Sequence, residues 1–269
     1  MMQKSPTILA SDIDAVLKER IDIERAVDAA FQKNLSASET LNGLQLISRK
    51  VIIEYLRQLL TLDRQLTPFT ILGLEKDVVV PYTIHSLGID TTLGGRIDRL
   101  DMITDENGDE LIRVVDYKTG ARRLTPLKSV DDIFNPDQLR NHNDYYLQAL
   151  LYARLVAKNP LSIIRSTYGR LQGKNYQLSI RSEAPYPKVA PALLFIQHAG
   201  VKDYDPILRF GQEPIRDMNA PDGDRFVALL SEKIEDIFNP AIAFVPTDDR
   251  TRCATCPYAP FCGIDATLR

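Results

Sequence analysis

The sequence predicts a mixed α/β fold in which a central β-sheet is flanked by helices. Three observations predict it. Apolar residues recur at helical spacing through residues 11–62, strand-like runs then surround a hairpin turn, and helical and strand-like segments follow as far as residue 237. We therefore expect one large domain with a helical N-terminal region and a cysteine-bearing C-terminal tail.

The helical region ends before Pro68, because proline lacks the backbone N–H that a helix interior needs. Ser11-Asp12 is typical of a helix N-cap. Residues 36–39 (Ser-Ala-Ser-Glu) give a second start signal before a long apolar stripe. The chain is thus divided into a helical region, a core and a tail, at residues 1–68, 69–245 and 246–269.

Strand-like runs follow Pro68 over residues 74–80, 92–103 and 111–117. Asn107-Gly108 is a strong signal for a tight turn between the last two runs. A hairpin centred there pairs Leu100 with Val114 on an apolar face. It pairs Asp101 with Arg113, as an ion pair, on the opposite face.

The remainder of the core alternates between helix and strand. Its apolar patterns predict helices over residues 137–157 and 222–237 and strands over residues 163–171 and 192–197, with a polar connection over residues 173–191.

Composition excludes several function classes. The 269 residues include 33 Lys and Arg and 36 Asp and Glu, giving a net charge of −3, so the protein is not a globally basic nucleic-acid coat. The hydrophobic fraction of 44% is ordinary for a globular protein. No apolar run is long enough for a membrane helix, and the N-terminus lacks the apolar core of a secretion signal. A cytoplasmic location without membrane partners is expected.

The same hairpin register places Asp98 opposite Asp116, with Lys118 on the face of Asp116. Two directly opposed carboxylates, with Cβ atoms about 5 Å apart, repel each other, and a divalent cation such as Mg²⁺ or Mn²⁺ would resolve that repulsion. An adjacent ammonium could orient a water molecule. A cation and an ammonium side by side suit phosphodiester hydrolysis. The alternative is that these are solvated charges at strand ends, because a register slip of one residue would separate the faces.

The three cysteines, Cys253, Cys256 and Cys262, form a C-x2-C-x5-C run. An odd number in one tight cluster is a poor disulfide framework but suits part of a metal or iron–sulfur site. Zinc bound by the three thiolates and one further ligand is an alternative, and three thiols without a metal are another.

Three motifs together resemble the PD-(D/E)xK nuclease superfamily, and more narrowly its RecB/AddB-type nuclease domains. They are Gly95-x-x-Asp98-Arg99-x-Asp101, the run Val115-Asp116-Tyr117-Lys118-Thr119-Gly120, and Gln148-x-x-x-Tyr152-Ala153. The resemblance implies a restriction-endonuclease-like core. It also implies an Mg²⁺- or Mn²⁺-dependent deoxyribonuclease, of exonuclease type, that acts in recombinational repair of double-strand breaks.

The resemblance also implies roles for individual residues. Asp98 and Asp116 would hold the metal with Glu75, which matches an acidic position on the preceding strand, and with the backbone carbonyl of Tyr117. Lys118 would position the attacking water.

Residues outside the metal set would contact the DNA. Gln148 and Tyr152 lie at i and i+4 on one helical face and would line the site, with Asp144 a weaker candidate one turn earlier. Basic side chains near the motifs would bind phosphate, namely Arg96, Arg122 and Arg123. The substrate implied is single-stranded DNA supplied by a helicase domain or subunit.

The cysteine run resembles the C-terminal motif of a 4Fe-4S cluster in AddB-type nucleases, whose fourth cysteine lies far upstream. This sequence has no upstream cysteine, and none of its three histidines (His85, His142 and His198) lies in the family's histidine motif. Both absences lead us to expect that the chain is a C-terminal piece of a longer helicase/nuclease protein and that its cluster is incomplete.

Two alternatives to a DNA nuclease remain open. One is a nuclease-fold module with weak catalysis that serves as a DNA-binding or scaffold domain. The other is a metal-dependent enzyme that acts on something smaller than DNA. The sequence lacks both the G-x-x-x-x-G-K-[ST] loop of an ATP motor and the G-x-S-x-G elbow of a serine hydrolase.

Overall fold

Three N-terminal helices accompany a five-stranded sheet. The structure, a computed structural model, describes residues 7–34, 41–105, 108–120, 124–159, 187–196, 201, 204–247, 253–254 and 256–264. The first elements are β1 (Thr7–Ile8), α1 (Ala10–Lys18), α2 (Arg20–Asn34) and α3 (Gly43–Gln65). The expected helical region is confirmed, and β1 pairs with the edge of the sheet at Phe69 and Thr70.

The predicted helix starts need correction. Helix α1 begins at Ala10, so Ser11-Asp12 lies inside it, and the Asp12 carboxylate accepts a hydrogen bond from the Leu9 N–H at 2.9 Å. Helix α3 is capped by Asn42, which exchanges side-chain hydrogen bonds with Gln45 at both backbone N–H groups. The predicted signal at residues 36–39 lies outside the described part of the chain.

The next three strands form an antiparallel meander. They are β2 (Phe69–Ile84), β3 (Ile89–Thr104) and β4 (Glu110–Lys118). The strands are confirmed, but β2 and β3 are longer than predicted, because a second hairpin turns at Gly88, whose φ of 63° suits glycine.

The predicted register between β3 and β4 is confirmed. Leu100 pairs with Val114, and Asp101 pairs with Arg113, whose Nε lies 2.7 Å from Oδ1 of Asp101. The last paired residues of this ladder are Arg99 and Val115. Part of the turn, at residues 106–107, lies outside the described residues.

The segment predicted as a helix from residue 137 is helical, but its first part is not α-helix. Two 3-10 helices, Val130–Phe134 and Pro136–Asn141, precede α4 (Asn143–Lys158). His142 adopts a left-handed φ of 57°, which interrupts the helix. The Asn143 side chain then donates to the carbonyl of Ile133 at 2.9 Å, so the start of α4 is fixed to the preceding turn.

The last core elements are β5 (Lys188–Phe195), a short hairpin of β6 (Arg209–Phe210) and β7 (Glu213–Pro214), and α5 (Pro221–Phe238). Strand β5 is parallel to β4 and begins inside the predicted polar connection, which is therefore wrong at its C-terminal end. Its start was missed because Pro191 lies within the strand. The helix predicted over residues 222–237 is confirmed as α5. The predicted strand over residues 163–171 lies outside the described residues.

Helices cover both faces of the sheet. On one face, Leu100 and Val114 are buried with Leu150 of α4 and Phe226 of α5. On the other face, Val115 and Leu194 are buried with Leu62 of α3. We call these the α4 side and the α3 side.

A short 3-10 helix, Ala259–Cys262, lies in the cysteine-bearing tail. Among the described helices, none is both long enough and apolar enough to cross a membrane. The observed architecture agrees with the expected restriction-endonuclease-like α/β fold.

Candidate active site

Asp116 and Lys118 lie at the C-terminal end of β4 and point to the α4 side, two residues apart as strand alternation requires. Asp116 is 6% exposed, and its Oδ2 lies 2.5 Å from Nζ of Lys118. Burial raises the pKa of the Asp116 carboxyl, against the opposing effect of the Lys118 ammonium, and the negative charge of Asp98 raises it further. The pair is therefore an ion pair held at a desolvation cost.

The Asp98 carboxylate reaches the same place from β3. Its Oδ2 accepts a hydrogen bond from the backbone N–H of Tyr117 at 2.8 Å. The neighbouring Arg99 points to the α3 side, where it binds Asp63, so Asp98 points to the side of Asp116. The end of this hairpin thus brings together two carboxylates and one ammonium.

Helix α4 holds the ammonium of Lys118 from above. Gln148 Oε1 accepts a hydrogen bond from Nζ at 3.1 Å, and the Tyr145 ring centroid lies 4.4 Å from Nζ. Tyr145 is itself stacked on His142, with ring centroids 4.6 Å apart. Sequence reasoning missed Tyr145, although its spacing of three residues before Gln148 places both on one helical face.

Tyr152, one turn after Gln148, packs against β3 at Gly95. A Cβ atom on Gly95 would lie 2.2 Å from the Tyr152 hydroxyl oxygen, which no real side chain permits. The glycine of the first motif therefore makes room for the tyrosine of the third. This contact brings α4 close to the strand that carries Asp98.

The donor set suits a hard divalent cation. Asp116 Oδ2 is buried with the Lys118 ammonium 2.5 Å away, and the Asp98 carboxylate lies near enough for its charge to act on Asp116. Carboxylate oxygens of this kind are the ligands that Mg²⁺ and Mn²⁺ prefer. Within the described residues, however, no three His, Cys, Asp or Glu side chains come together as a metal-binding group.

Glu75 is therefore not gathered with the other two carboxylates. It is exposed and has a left-handed φ of 48°, at a position of β2 between Leu74, paired with Arg99, and Lys76, paired with Ile97. The strand register still places it level with Asp98. Tyr117 gives its N–H to Asp98, and its hydroxyl lies on the α3 side.

The predicted DNA-binding arginines are placed only in part. Arg96 is exposed and forms an ion pair with Asp77 at 2.8 Å. Arg122 and Arg123 lie outside the described residues. Asp144 is half exposed, 3.8 Å from His142 Nδ1, and contributes nothing to the carboxylate pair.

The three cysteines are all described, and no disulfide bond joins them. Cys253 is buried, whereas Cys256 and Cys262 are exposed. They do not form a metal-binding group among the residues whose positions are described.

A second set of charges lies directly behind the site, on the α3 side. Arg99 and Arg113 are each 2% exposed and Asp101 is fully buried. Arg99 Nη1 donates to both carboxylate oxygens of Asp63 in α3, at 2.8 and 2.9 Å, and its Nε lies 2.9 Å from Asp101. Sequence reasoning predicted the Asp101–Arg113 pair but missed Asp63.

Comparison with known proteins agrees with this geometry. No curated protein matches the chain. The sequence model of the PD-(D/E)XK nuclease superfamily matches residues 7–263, which include both carboxylates, the lysine and all three cysteines. Members of this superfamily are generally nucleases that use divalent metals, and the chain belongs to the PD-(D/E)XK nuclease superfamily.

Proposed function

We propose that the protein is an Mg²⁺- or Mn²⁺-dependent deoxyribonuclease whose active site is the cluster of Asp98, Asp116 and Lys118. The observation that carries this proposal is the convergence of two carboxylates from adjacent strands beside one lysine, with the Asp116 carboxylate buried. Such a pair is costly for folding, because like charges repel and burial disfavours the charge of Asp116. A cation removes that cost.

Asp98 and Asp116 would hold the cation, with the Tyr117 carbonyl and Glu75 as further candidate ligands. A divalent cation supplies neutralisation of the charge that develops on the phosphate during hydrolysis. The protein's own carboxylates fix where that positive charge sits. Asp98 is held by the Tyr117 N–H, so one of its oxygens has a defined position before substrate binds.

Lys118 would position the attacking water and stabilise developing negative charge. Its Nζ now contacts Asp116, Gln148 and the Tyr145 ring. The glutamine and the tyrosine keep the ammonium beside the site when Asp116 binds a cation instead.

The substrate we propose is single-stranded DNA, with Gln148, Tyr152, Arg96, Arg122 and Arg123 contacting the strand. The resemblance of the three motifs to RecB/AddB-type domains supports a role in double-strand-break repair with a helicase domain or subunit. It also supports the proposal that the chain is a C-terminal piece of a longer protein. On that proposal, the cysteine run would complete a 4Fe-4S cluster with one upstream cysteine.

The test is cleavage of an end-labelled single-stranded oligonucleotide by the purified chain in Mg²⁺, in Mn²⁺ and in EDTA. We expect metal-dependent cleavage, and a loss of about 10³-fold or more in Asp116→Ala, because the cation site is dismantled. Asp109→Ala is the matched control. It breaks an exposed Asp–Lys pair, with Lys188, at the opposite end of β4.

Cleavage that persists in Asp116→Ala, or an activity indifferent to EDTA, would remove the assignment. Binding of the oligonucleotide without cleavage in either metal would instead favour the catalytically weak DNA-binding module. This second candidate is supported by one observation: only two carboxylates come together at the site among the described residues.

A further inference from the structure

We infer that Arg99 and Tyr117 are positioning residues that hold Asp98 of β3 against the end of β4, acting from the α3 side of the sheet. This inference rests on the proposed function, since it concerns the geometry of the proposed cation site. Neither side chain reaches that site itself. Both act through the backbone of the strands that carry Asp98 and Asp116.

The pairing of β3 with β4 shows why side chains are needed to hold Asp98 in place. The ladder between β3 and β4 has Arg99 and Val115 as its last pair, so Asp98 and Asp116 lie just beyond it. Backbone hydrogen bonds between β3 and β4 no longer fix the separation of these two strands at the point where two carboxylates must share a cation, although β4 still pairs there with β5. Two charges that repel each other would push the strand ends apart there.

Side-chain hydrogen bonds replace the ladder at this point. On the α4 side, the Tyr117 N–H donates to Asp98 Oδ2 at 2.8 Å. On the α3 side, Arg99 Nη1 donates to the Tyr117 hydroxyl oxygen at 3.0 Å. Residues 98 and 99 of β3 are therefore connected to residue 117 of β4 twice, once on each side of the sheet.

The α3 side of this connection is rigidly anchored. The same Nη1 of Arg99 binds the Asp63 carboxylate of α3, and the guanidinium carbon lies 5.0 Å from the Phe69 ring centroid and 5.5 Å from that of Tyr117. A planar guanidinium fixed by stacking and by charged partners has little freedom to move.

Tyr117→Phe tests the inference, because it removes only the hydroxyl that Arg99 binds. Tyr146→Phe is the matched control. It removes another buried hydroxyl, which donates a hydrogen bond of 2.6 Å to the Arg209 carbonyl. This hydroxyl has no hydrogen bond to Asp98 or Asp116 among the described contacts. A general loss of stability should be similar in the two variants.

The first readout is amide hydrogen exchange, which needs neither metal nor activity. In Tyr117→Phe we expect the amide of residue 117 to exchange about fivefold faster relative to that of Val114, because the Asp98 bond loosens. Tyr146→Phe should leave this ratio unchanged. The second readout is Mn²⁺ affinity by calorimetry, which should weaken about fivefold or more in Tyr117→Phe alone.

An unchanged exchange ratio at residue 117 overturns the inference, whatever the activity. An unchanged Mn²⁺ affinity in Tyr117→Phe, in a protein whose wild type binds Mn²⁺, also overturns it. Failure of the proposed function looks different. The wild type would then neither bind Mn²⁺ through Asp116 nor cleave DNA, while the exchange result would still decide whether Arg99 and Tyr117 hold Asp98.

Discussion

The two sides of the β3–β4 hairpin both carry acidic and basic residues, but they differ in the balance of positive and negative charge. On the α3 side, two arginines face two aspartates. On the α4 side, one lysine faces two aspartates. The residues are Arg99, Arg113, Asp63 and Asp101 on the first side and Lys118, Asp98 and Asp116 on the second.

The difference shows what separates a structural cluster from a candidate site. Burial works against the Arg99 charge, but the carboxylates of Asp63 and Asp101 outweigh it and raise the pKa of Arg99. On the α4 side, by contrast, Lys118 alone among the described residues faces the two aspartates. Burial raises the pKa of Asp116, as it does that of Asp63 on the α3 side, so the number of positive charges is what distinguishes the two sides. The α3 side is complete in formal charge, and the α4 side is short of one positive charge.

Breaking the complete side should give the largest loss of stability. Asp101→Ala leaves Arg99 and Arg113 buried beside an empty position, and we expect the free energy of unfolding to fall by about 3–5 kcal/mol. Urea unfolding followed by circular dichroism measures this. Asp14→Ala, which breaks the exposed pair with Arg64, should leave the unfolding midpoint unchanged. Equal losses in the two variants would contradict the comparison.

A substitution of Tyr145 tests whether its ring holds Lys118 on the incomplete α4 side. Tyr145→Leu deletes the ring beside the ammonium, and we expect the rate of DNA cleavage to fall about fivefold to tenfold. Tyr145→Phe keeps a ring face and should retain most activity. Single-turnover cleavage of a labelled oligonucleotide is the measurement. If Phe is as harmful as Leu, the hydroxyl and not the ring face is what matters.

The smallest expected effect is a gain in stability. The folded pKa of Asp116 is raised above its unfolded value, so the folded state binds more protons between the two, and stability falls as pH rises through that window. Asp116→Asn removes this cost. We expect Tm in EDTA at pH 7 to rise by roughly 2–4 °C, while cleavage is lost.

The gain in Asp116→Asn should shrink as the pH falls through the folded pKa, because the wild-type carboxyl is then protonated as well. Calorimetric scans at several pH values check this. A variant that is less stable than the wild type at neutral pH would show that Lys118 compensates Asp116 fully.

Local signals were enough to predict the hairpin of the candidate site. The Asn107-Gly108 signal located the turn, and alternation along the strands then placed Asp101 opposite Arg113 and set the register at Asp98. The ladder has Thr104 opposite Glu110, as a hairpin centred at residue 107 requires. The N-terminal helices, the strands of the hairpin and the helix over residues 222–237 were also predicted from sequence patterns and are observed.

The parts that were missed depend on contacts distant in sequence. Asp63 binds Arg99 from 36 positions away, and nothing in the local pattern of α3 marks it as different from a solvated helix residue. Strand β5 joins β4 in parallel, a pairing that no turn signal announces. Tyr145 has the same spacing as a core residue, so only tertiary packing distinguishes its contact with Lys118.

The contact between Gly95 and Tyr152 has a consequence for how this groove can change. A side chain at residue 95 would meet the end of the Tyr152 ring, so either that ring or the helix that carries it would have to move. Either movement disturbs a residue that we propose contacts the DNA, while every acidic and basic side chain stays the same. A residue without a functional group thus constrains the face that we propose for the substrate.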